Sequence, residues 1–249
     1  MADRLRIAHC SDIHLDGDSH GHRVGGDARE GCRRAFARAL AEMQAHRPDV
    51  MLLAGDLFDA NDATAGTIRW AMDILGRQPF PVVMIPGNHD CMAMDAIYRR
   101  YDFNSVPNLR LLASEAGEVA RLDALGLAVW GKGIVDHSTN YRPLAGCPER
   151  PDDCRWFLGL GHGIFVPDGE ASHRSSPIHM REIADSPCDY LALGHHHAAM
   201  EILTDRSAAA YSGSPTDSIG RGATYVVADL MPGRRAAVAV HTIPPSELP

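Results

Sequence analysis

Five short polar clusters interrupt otherwise apolar stretches of the chain: Asp12-Ile13-His14, Gly55-Asp56-Leu57-Phe58-Asp59, Gly87-Asn88-His89-Asp90, Gly161-His162 and Gly194-His195-His196-His197. Their aspartates, asparagine and histidines offer hard oxygen and borderline nitrogen donors. That set suits manganese, iron or zinc, whereas calcium would want fewer histidines. Seven potential ligands in these clusters exceed what one ion with open positions uses, while two ions sharing a bridging carboxylate would employ them all. Such a pair, roughly 3.5–4 Å apart, can polarise a bridging water to hydroxide and steady the attacking and leaving oxygens of an in-line displacement at phosphorus.

Chemistry of this kind requires distant clusters to meet, so each must sit at the end of an element that aims it. In the first half, apolar runs at 5–10, 50–54 and 82–85 read as strands. Residues 29–46 and 64–78 between them show helical periodicity, with Cys32, Phe36, Leu40 and Met43 on one side of the first and Ile68, Met72 and Leu75 on one side of the second. Methionine and tryptophan positions in these helices are expected in the core, and Pro48 stops the first helix. Strands joined by crossover helices imply a largely parallel α/β arrangement, in which ligands sit outside the carboxyl ends of the strands. The glycines at 55, 87, 161 and 194 would allow tight strand-to-loop turns and close approach of ligand-bearing backbone.

Beyond residue 109 the texture becomes β-rich, with strand-like runs at 109–113, 119–122, 127–130, 157–160 and 190–193. Runs at 224–230 and 236–243 surround Pro232-Gly233 and predict a C-terminal hairpin. Two segments, 136–155 with its prolines and 167–180 with its serines, histidines and charges, read as long loops of the kind that form lids or binding surfaces.

Composition fits this picture. The 249 residues are 45% hydrophobic, with 24 basic against 32 acidic side chains and a formal net charge of −8. A disordered or fibrous chain is excluded, and the net charge argues against a surface that is basic throughout, although a local groove or bound cations would still hold phosphates. There is no bilayer-length apolar run and no apolar leader, so no membrane is expected as a partner. Six cysteines without a regular framework point to a reducing cytoplasm. Residues 1–249 are expected to form a single catalytic domain without a separate capping domain, and a homo-oligomer is left open.

The ordered motifs DxH, GDxxD, GNH[DE], GH and GHxH, spread over positions 12 to 197, resemble the calcineurin-like metallophosphoesterase superfamily. The resemblance implies an α/β fold of two packed mixed β-sheets flanked by α-helices, here with the C-terminal β-hairpin. It implies two divalent metal ions, manganese first and iron or zinc as alternatives. By the same resemblance Asp12, His14 and His197 would hold one ion, Asn88, His162 and His195 the other, and Asp56 would bridge them. His89 would stand beside the leaving group as proton donor or transition-state stabiliser, with Asp59 orienting its imidazole. Physically that pair is coherent, because two nearby cations resist protonation of an imidazole and a carboxylate partner counters them.

Taken singly, each cluster has a plain structural explanation as a turn or solvated loop; their joint occurrence in family order does not. His20, His22, His173 and His179 read as loop residues, Cys91 as a small buried one. His196, between two ligands in an extended segment, should point away from theirs. Within the superfamily, Cys10-Ser11-Asp12-Ile13-His14-Leu15, Gly55-Asp56-Leu57-Phe58-Asp59 and Tyr211-Ser212-Gly213-Ser214-Pro215 are most similar to SbcD-type DNA-repair exonucleases and their small bacterial relatives. The expected substrate is therefore a phosphodiester, with DNA a candidate. The short C-terminal region and the lack of a basic stripe with interleaved aromatics make a cyclic-nucleotide or broad small-molecule phosphoesterase the competitor. A noncatalytic protein-binding scaffold predicts missing motif residues, and none is missing.

Overall fold

The computed structural model describes residues 3–17, 26–170, 172–216, 220 and 222–244, so His20 and His22 lie outside the described residues. The chain runs β1 (Leu5–Cys10), α1 (Gly26–Ala45), β2 (Val50–Ala54), α2 (Ala65–Gly76), β3 (Val82–Ile85), α3 (Ile97–Arg100), β4 (Leu109–Leu111), β5 (Glu118–Leu122) and β6 (Leu127–Gly131). It continues through β7 (Trp156–His162), β8 (Ile164–Val166), β9 (Pro177–His179), α4 (Met180–Ala184), β10 (Tyr190–Gly194), β11 (Met200–Leu203), β12 (Ala208–Tyr211), β13 (Ala223–Leu230) and β14 (Ala237–Ile243).

Two six-stranded mixed sheets result, in the orders β14-β13-β1-β2-β3-β4 and β11-β12-β10-β7-β6-β5. In the first sheet β1 to β4 are parallel, which explains their unbroken apolar runs: both faces are covered. Ile7, Leu52, Ala54 and Val83 go to the core between the sheets, where they meet Leu127, Leu158 and Ala192 of the second sheet. The alternate residues Ala8, Met51, Leu53 and Met84 meet α1 and α2 through Phe36, Leu40, Met43, Ile68 and Leu75. Cys32, Trp70 and Met72, expected inward, are only half-buried and lie along the margin of this layer. The helical stripe is narrower than the periodicity suggests, because the sheet presents a limited width to each helix.

Helix α2 begins one residue after the expected start because Thr64 caps it, accepting from the Thr67 N–H at 3.3 Å. Asp16 fixes that cap, accepting from the Thr64 N–H at 2.8 Å and the Thr67 hydroxyl at 2.5 Å. The first polar loop is thereby tied to the start of α2.

The second half departs from its sequence reading in two places. Residues 200–203 and 208–211 are strands although their pattern suggests none. The alanines of β12 have little intrinsic β preference and are held between β10 and β11, where small buried side chains suit the available space. The stretch 167–180 is not wholly irregular, since β9 pairs in parallel with β8 and α4 starts at Met180. The C-terminal hairpin forms as expected, with Gly233 at φ +70°, and it joins the first sheet, β13 running antiparallel to β1. Segment 136–155 is irregular, as expected, and its Leu144 and Cys154 join the apolar cluster on the outer face of the second sheet. Among the described residues, no helix is long and apolar enough to cross a membrane.

Candidate metal centre

The five clusters follow β1, β2, β3, β7 and β10, whose carboxyl ends converge where the two sheets meet. The first two loops run side by side: the N–H groups of Asp12, Ile13 and Leu15 donate to the carbonyls of Gly55, Asp56 and Leu57, at 3.1, 2.8 and 2.9 Å. Asp12, His14, Asp56 and His195 all adopt positive φ, at 57°, 53°, 53° and 94°. Left-handed backbone at residues with a β-carbon is strained, and its concentration here shows that surrounding contacts over-determine these loops. Close approach is equally strict. A β-carbon on Gly87 would lie 2.0 Å from Asp56 Oδ1, and one on Gly194 would lie 1.9 Å from the Ala54 carbonyl oxygen.

All seven expected ligands are brought together. His14 Nε2 and His162 Nε2 lie 3.8 and 3.2 Å from Asp56 Oδ2, and His197 Nε2 lies 3.7 Å from Asp12 Oδ1. Asn88 Oδ1 is 3.0 Å from His162 Nε2 and 2.7 Å from His195 Nδ1. Asp12, His14 and His197 can place one ligand atom each within 4.8 Å of one another, as can Asp12, Asp56 and His162. His14, Asp56 and His89 form a third such group.

Two observations test whether this donor set fits divalent ions. His14 Nε2 is buried with no hydrogen-bond partner, facing the carboxylates. His162 is held by Nδ1, which donates to the Ala54 carbonyl at 2.7 Å and leaves Nε2 directed at Asp56 and Asn88 oxygens. An outer hydrogen bond of this kind fixes the tautomer that a ligating imidazole needs. Oxygen and imidazole acceptors crowded in a buried site call for a cation, and the donors present fit one.

The charges agree. Burial opposes charging of His162, yet the neighbouring Asp56 carboxylate outweighs it and lifts the pKa to about 9. Burial likewise opposes charging of His14, whose pKa is nevertheless raised by the Asp59 hydrogen bond and the Asp56 and Asp12 charges. Burial would raise the Asp56 pKa, but His162 and the other imidazoles hold it well below the carboxylate range. His195 is driven by burial down to about 3, and burial also lowers His197. The carboxylates thus favour positive charge at His14 and His162, the role that a bound metal would take over.

Asp59 departs from its expected contact. Its carboxylate meets His14 Nδ1 at 3.1 Å and lies 3.9 Å from His89 Nδ1, while the Asp59 backbone carbonyl accepts from His89 Nδ1 at 2.8 Å. The Asp59 main chain therefore orients His89, while its carboxylate meets His14. His196 turns to the Ala198 carbonyl and the Tyr211 ring, away from the cluster. Cys91 is half-buried rather than buried. The His179 N–H donates to Glu182 at the start of α4.

Three supporting groups carry no assigned role in the sequence reading. Buried Asp90 accepts from the N–H groups of Leu57, Phe58 and Gly87 and from the Tyr98 hydroxyl, at 2.9, 3.2, 2.7 and 2.6 Å, and so ties the second and third clusters together. Burial and the nearby Asp56 charge push its pKa up. Its position next to His89 is the available signal. Ser11 donates to Asp12 and contacts Ser212 at 2.9 Å, which explains why the 211–215 segment accompanies the site. His137, from the 136–155 loop, places its ring 5.5 Å from that of His195; a lone histidine in an irregular segment carries no signal.

The chain matches the calcineurin-like phosphoesterase family over residues 5–199 and belongs to that family. That family is one of phosphoesterases, whose members typically hold a pair of divalent ions. It is 24% identical over 230 residues to the uncharacterized metallophosphoesterase YhaO of Bacillus subtilis strain 168, covering 86% of this chain and 54% of that protein. It is 22% identical over 234 residues to the SbcD component of nuclease SbcCD from Staphylococcus epidermidis, covering 84% of this chain and 61% of that protein. A shorter match, 33% over 89 residues and 35% of this chain, is to a protein of Pseudoalteromonas sp. strain SM9913 named as a probable cyclic nucleotide phosphodiesterase, of which it covers 32%. The chain thus spans less than two thirds of these relatives. In fold it resembles TT1561 of Thermus thermophilus, with TM-score 0.60, 13% identity, and coverage of 96% of this chain and 98% of that one. A dimetal phosphatase from Danio rerio gives TM-score 0.58 at 11% identity, again over 96% and 98%.

Proposed function

We propose that this protein hydrolyses phosphodiesters of nucleotides at a two-ion centre, with Asp12, His14 and His197 on one ion, Asn88, His162 and His195 on the other, and Asp56 shared. The observation that carries this reading is the convergence of Asp12, His14, Asp56 and Asn88 from the first sheet with His162, His195 and His197 from the second. The bound ions would supply Lewis-acid activation of water and of the phosphoryl oxygens. Ala54 and Asp59 orient the imidazoles of His162 and His14, and Asp90 keeps the Asp56 and Asn88 loops in register. His89 is the exposed group at the rim. With Nδ1–H committed to the Asp59 carbonyl, it is the imidazolium form that would give its Nε2 proton to the leaving oxygen and be left as neutral imidazole, and the Asp59 carboxylate 3.9 Å away offers a counter-charge to that cation.

DNA is the leading substrate, supported by the SbcD match along most of this chain. A cyclic nucleotide is the second reading, supported by the Pseudoalteromonas relative. Hydrolysis of bis(p-nitrophenyl) phosphate with manganese is the test. Asp56→Asn is expected to lower the rate by on the order of 10³-fold or more, and His89→Ala by roughly 10²–10⁴-fold. Full activity in both variants would end the mechanism. Relative rates on single-stranded DNA, duplex ends, cyclic nucleotides and phosphomonoesters under one metal condition then decide the substrate. Metal analysis of protein purified without added metal chooses among manganese, iron and zinc.

A further inference from the structure

Two histidines outside the proposed ligand set flank the centre. His89 lies against His14, with ring centroids 4.6 Å apart. His137 lies against His195, at 5.5 Å with the ring planes tilted by 44°. The charges of His162, Asp56 and His89 all act on His137, which places it beside the same hollow.

The partner of His137 fixes its tautomer. Ser176 Oγ is 3.1 Å from His137 Nδ1, and among the described residues this is the only hydrogen-bond partner of that hydroxyl. Ser176 is fully buried, and a hydroxyl that only accepted would leave its proton unpaired in a dry place. The hydroxyl therefore donates to Nδ1, so the imidazole carries its own proton on Nε2. A nitrogen bearing that proton offers no lone pair to a metal. Nε2–H has no hydrogen-bond partner among the described residues, and the His137 side chain is exposed.

Ser176 is held in place at some cost. It takes φ +52°, a left-handed conformation unfavourable to a residue with a β-carbon, while its N–H donates to the Ser138 carbonyl at 2.9 Å and its carbonyl accepts from the Ile164 N–H at 3.0 Å. These bonds join the 136–155 loop to the β8–β9 pair next to His162. Strain that aims one buried hydroxyl at one exposed imidazole is the mark of a preorganised donor.

We propose that His137 is a substrate-contacting residue whose Nε2–H donates a hydrogen bond to a non-bridging oxygen of the phosphodiester, on the side of the centre away from His89, with Ser176 as its positioning residue. This rests on the phosphodiesterase reading above. In an in-line displacement negative charge builds on those oxygens, and a donor already oriented toward them needs no reorganisation.

The test uses the full chain, bis(p-nitrophenyl) phosphate and manganese. His137→Ala is expected to lower kcat by on the order of 10–100-fold, with manganese content per chain and thermal midpoint unchanged. His137→Gln, which keeps a donor, should recover part of that loss. Ser176→Ala should lower kcat less, and the double variant should lose no more than His137→Ala alone, because the serine acts through the histidine. An unchanged kcat in His137→Ala, losses that multiply in the double variant, or activity falling in step with manganese content or thermal midpoint would overturn the assignment. If wild type is active, Asp56→Asn dead and His137→Ala undiminished, this inference alone fails. An inactive wild type removes the phosphodiesterase reading and this inference with it.

Discussion

The two sheets bring their halves of the site together with different kinds of cover. The first, carrying Asp12, His14, Asp56, Asn88 and His89, is backed by the long helices α1 and α2, and its loops are locked to one another by Asp16 and Asp90. The second, carrying His162, His195 and His197, is backed by the irregular 136–155 loop and the five-residue α4. The first side is thus a periodic scaffold that fixes ligands; the second is an irregular cover that adds His137 and Ser176 next to them. Substitutions in the scaffold of the first side should therefore act chiefly on stability and metal, those in the cover of the second, at His137 and Ser176, chiefly on substrate.

The junction itself offers the strongest way to break this contrast. Gly194→Ala, whose β-carbon would meet the Ala54 carbonyl at 1.9 Å and His162 Nδ1 at 2.8 Å, forces the two sheets apart. A loss of roughly 4 kcal/mol or more is expected in urea denaturation, with weakened manganese binding; an unshifted midpoint would mean that the sheets are not in this contact. Asp90→Asn probes the first side alone. Four donors lose their carboxylate, and about 2–3 kcal/mol should disappear from the same measurement.

A pH experiment sharpens the picture at the interface. His9 of β1 is fully buried against the Tyr190 hydroxyl of β10, at 2.9 Å, and burial drives its pKa to about 3. The unfolded chain, with an ordinary histidine near 6.5, binds this proton first. The contribution is therefore complete above pH ~6.5 and is lost as pH falls from there toward 3, by about 1.4 kcal/mol per pH unit well inside that window. Between about pH 6 and 5 the slope of stability on pH should be shallower in His9→Gln than in wild type by about that amount; equal slopes would count against burial of a neutral imidazole. The smallest expected effect is at the α2 cap, where Thr64→Ala should cost about 1 kcal/mol by thermal or urea denaturation while leaving manganese content unchanged.

Legibility followed the same division. Strands 5–10, 50–54 and 82–85 are readable because parallel strands covered on both faces must be apolar throughout. The polar clusters that converge are readable because donor residues of these types stand at each strand end. Strand β12 is not, since alanines acquire their conformation from β10 and β11. The motif pattern pairs the Asp59 carboxylate with His89, yet it is found on His14, a choice made by backbone turns that spacing does not encode.

The amino-acid order by itself determined which donor side chains the chain offers and that they stand at strand ends, because composition and periodicity are local properties of the chain. Only the tertiary structure decided which nitrogen faces which oxygen, that the C-terminal hairpin returns to the first sheet, and that His137 reaches the centre. Those outcomes depend on contacts between segments far apart in sequence, as between His137 and Ser176 or between Gly194 and Ala54, and no local pattern records them.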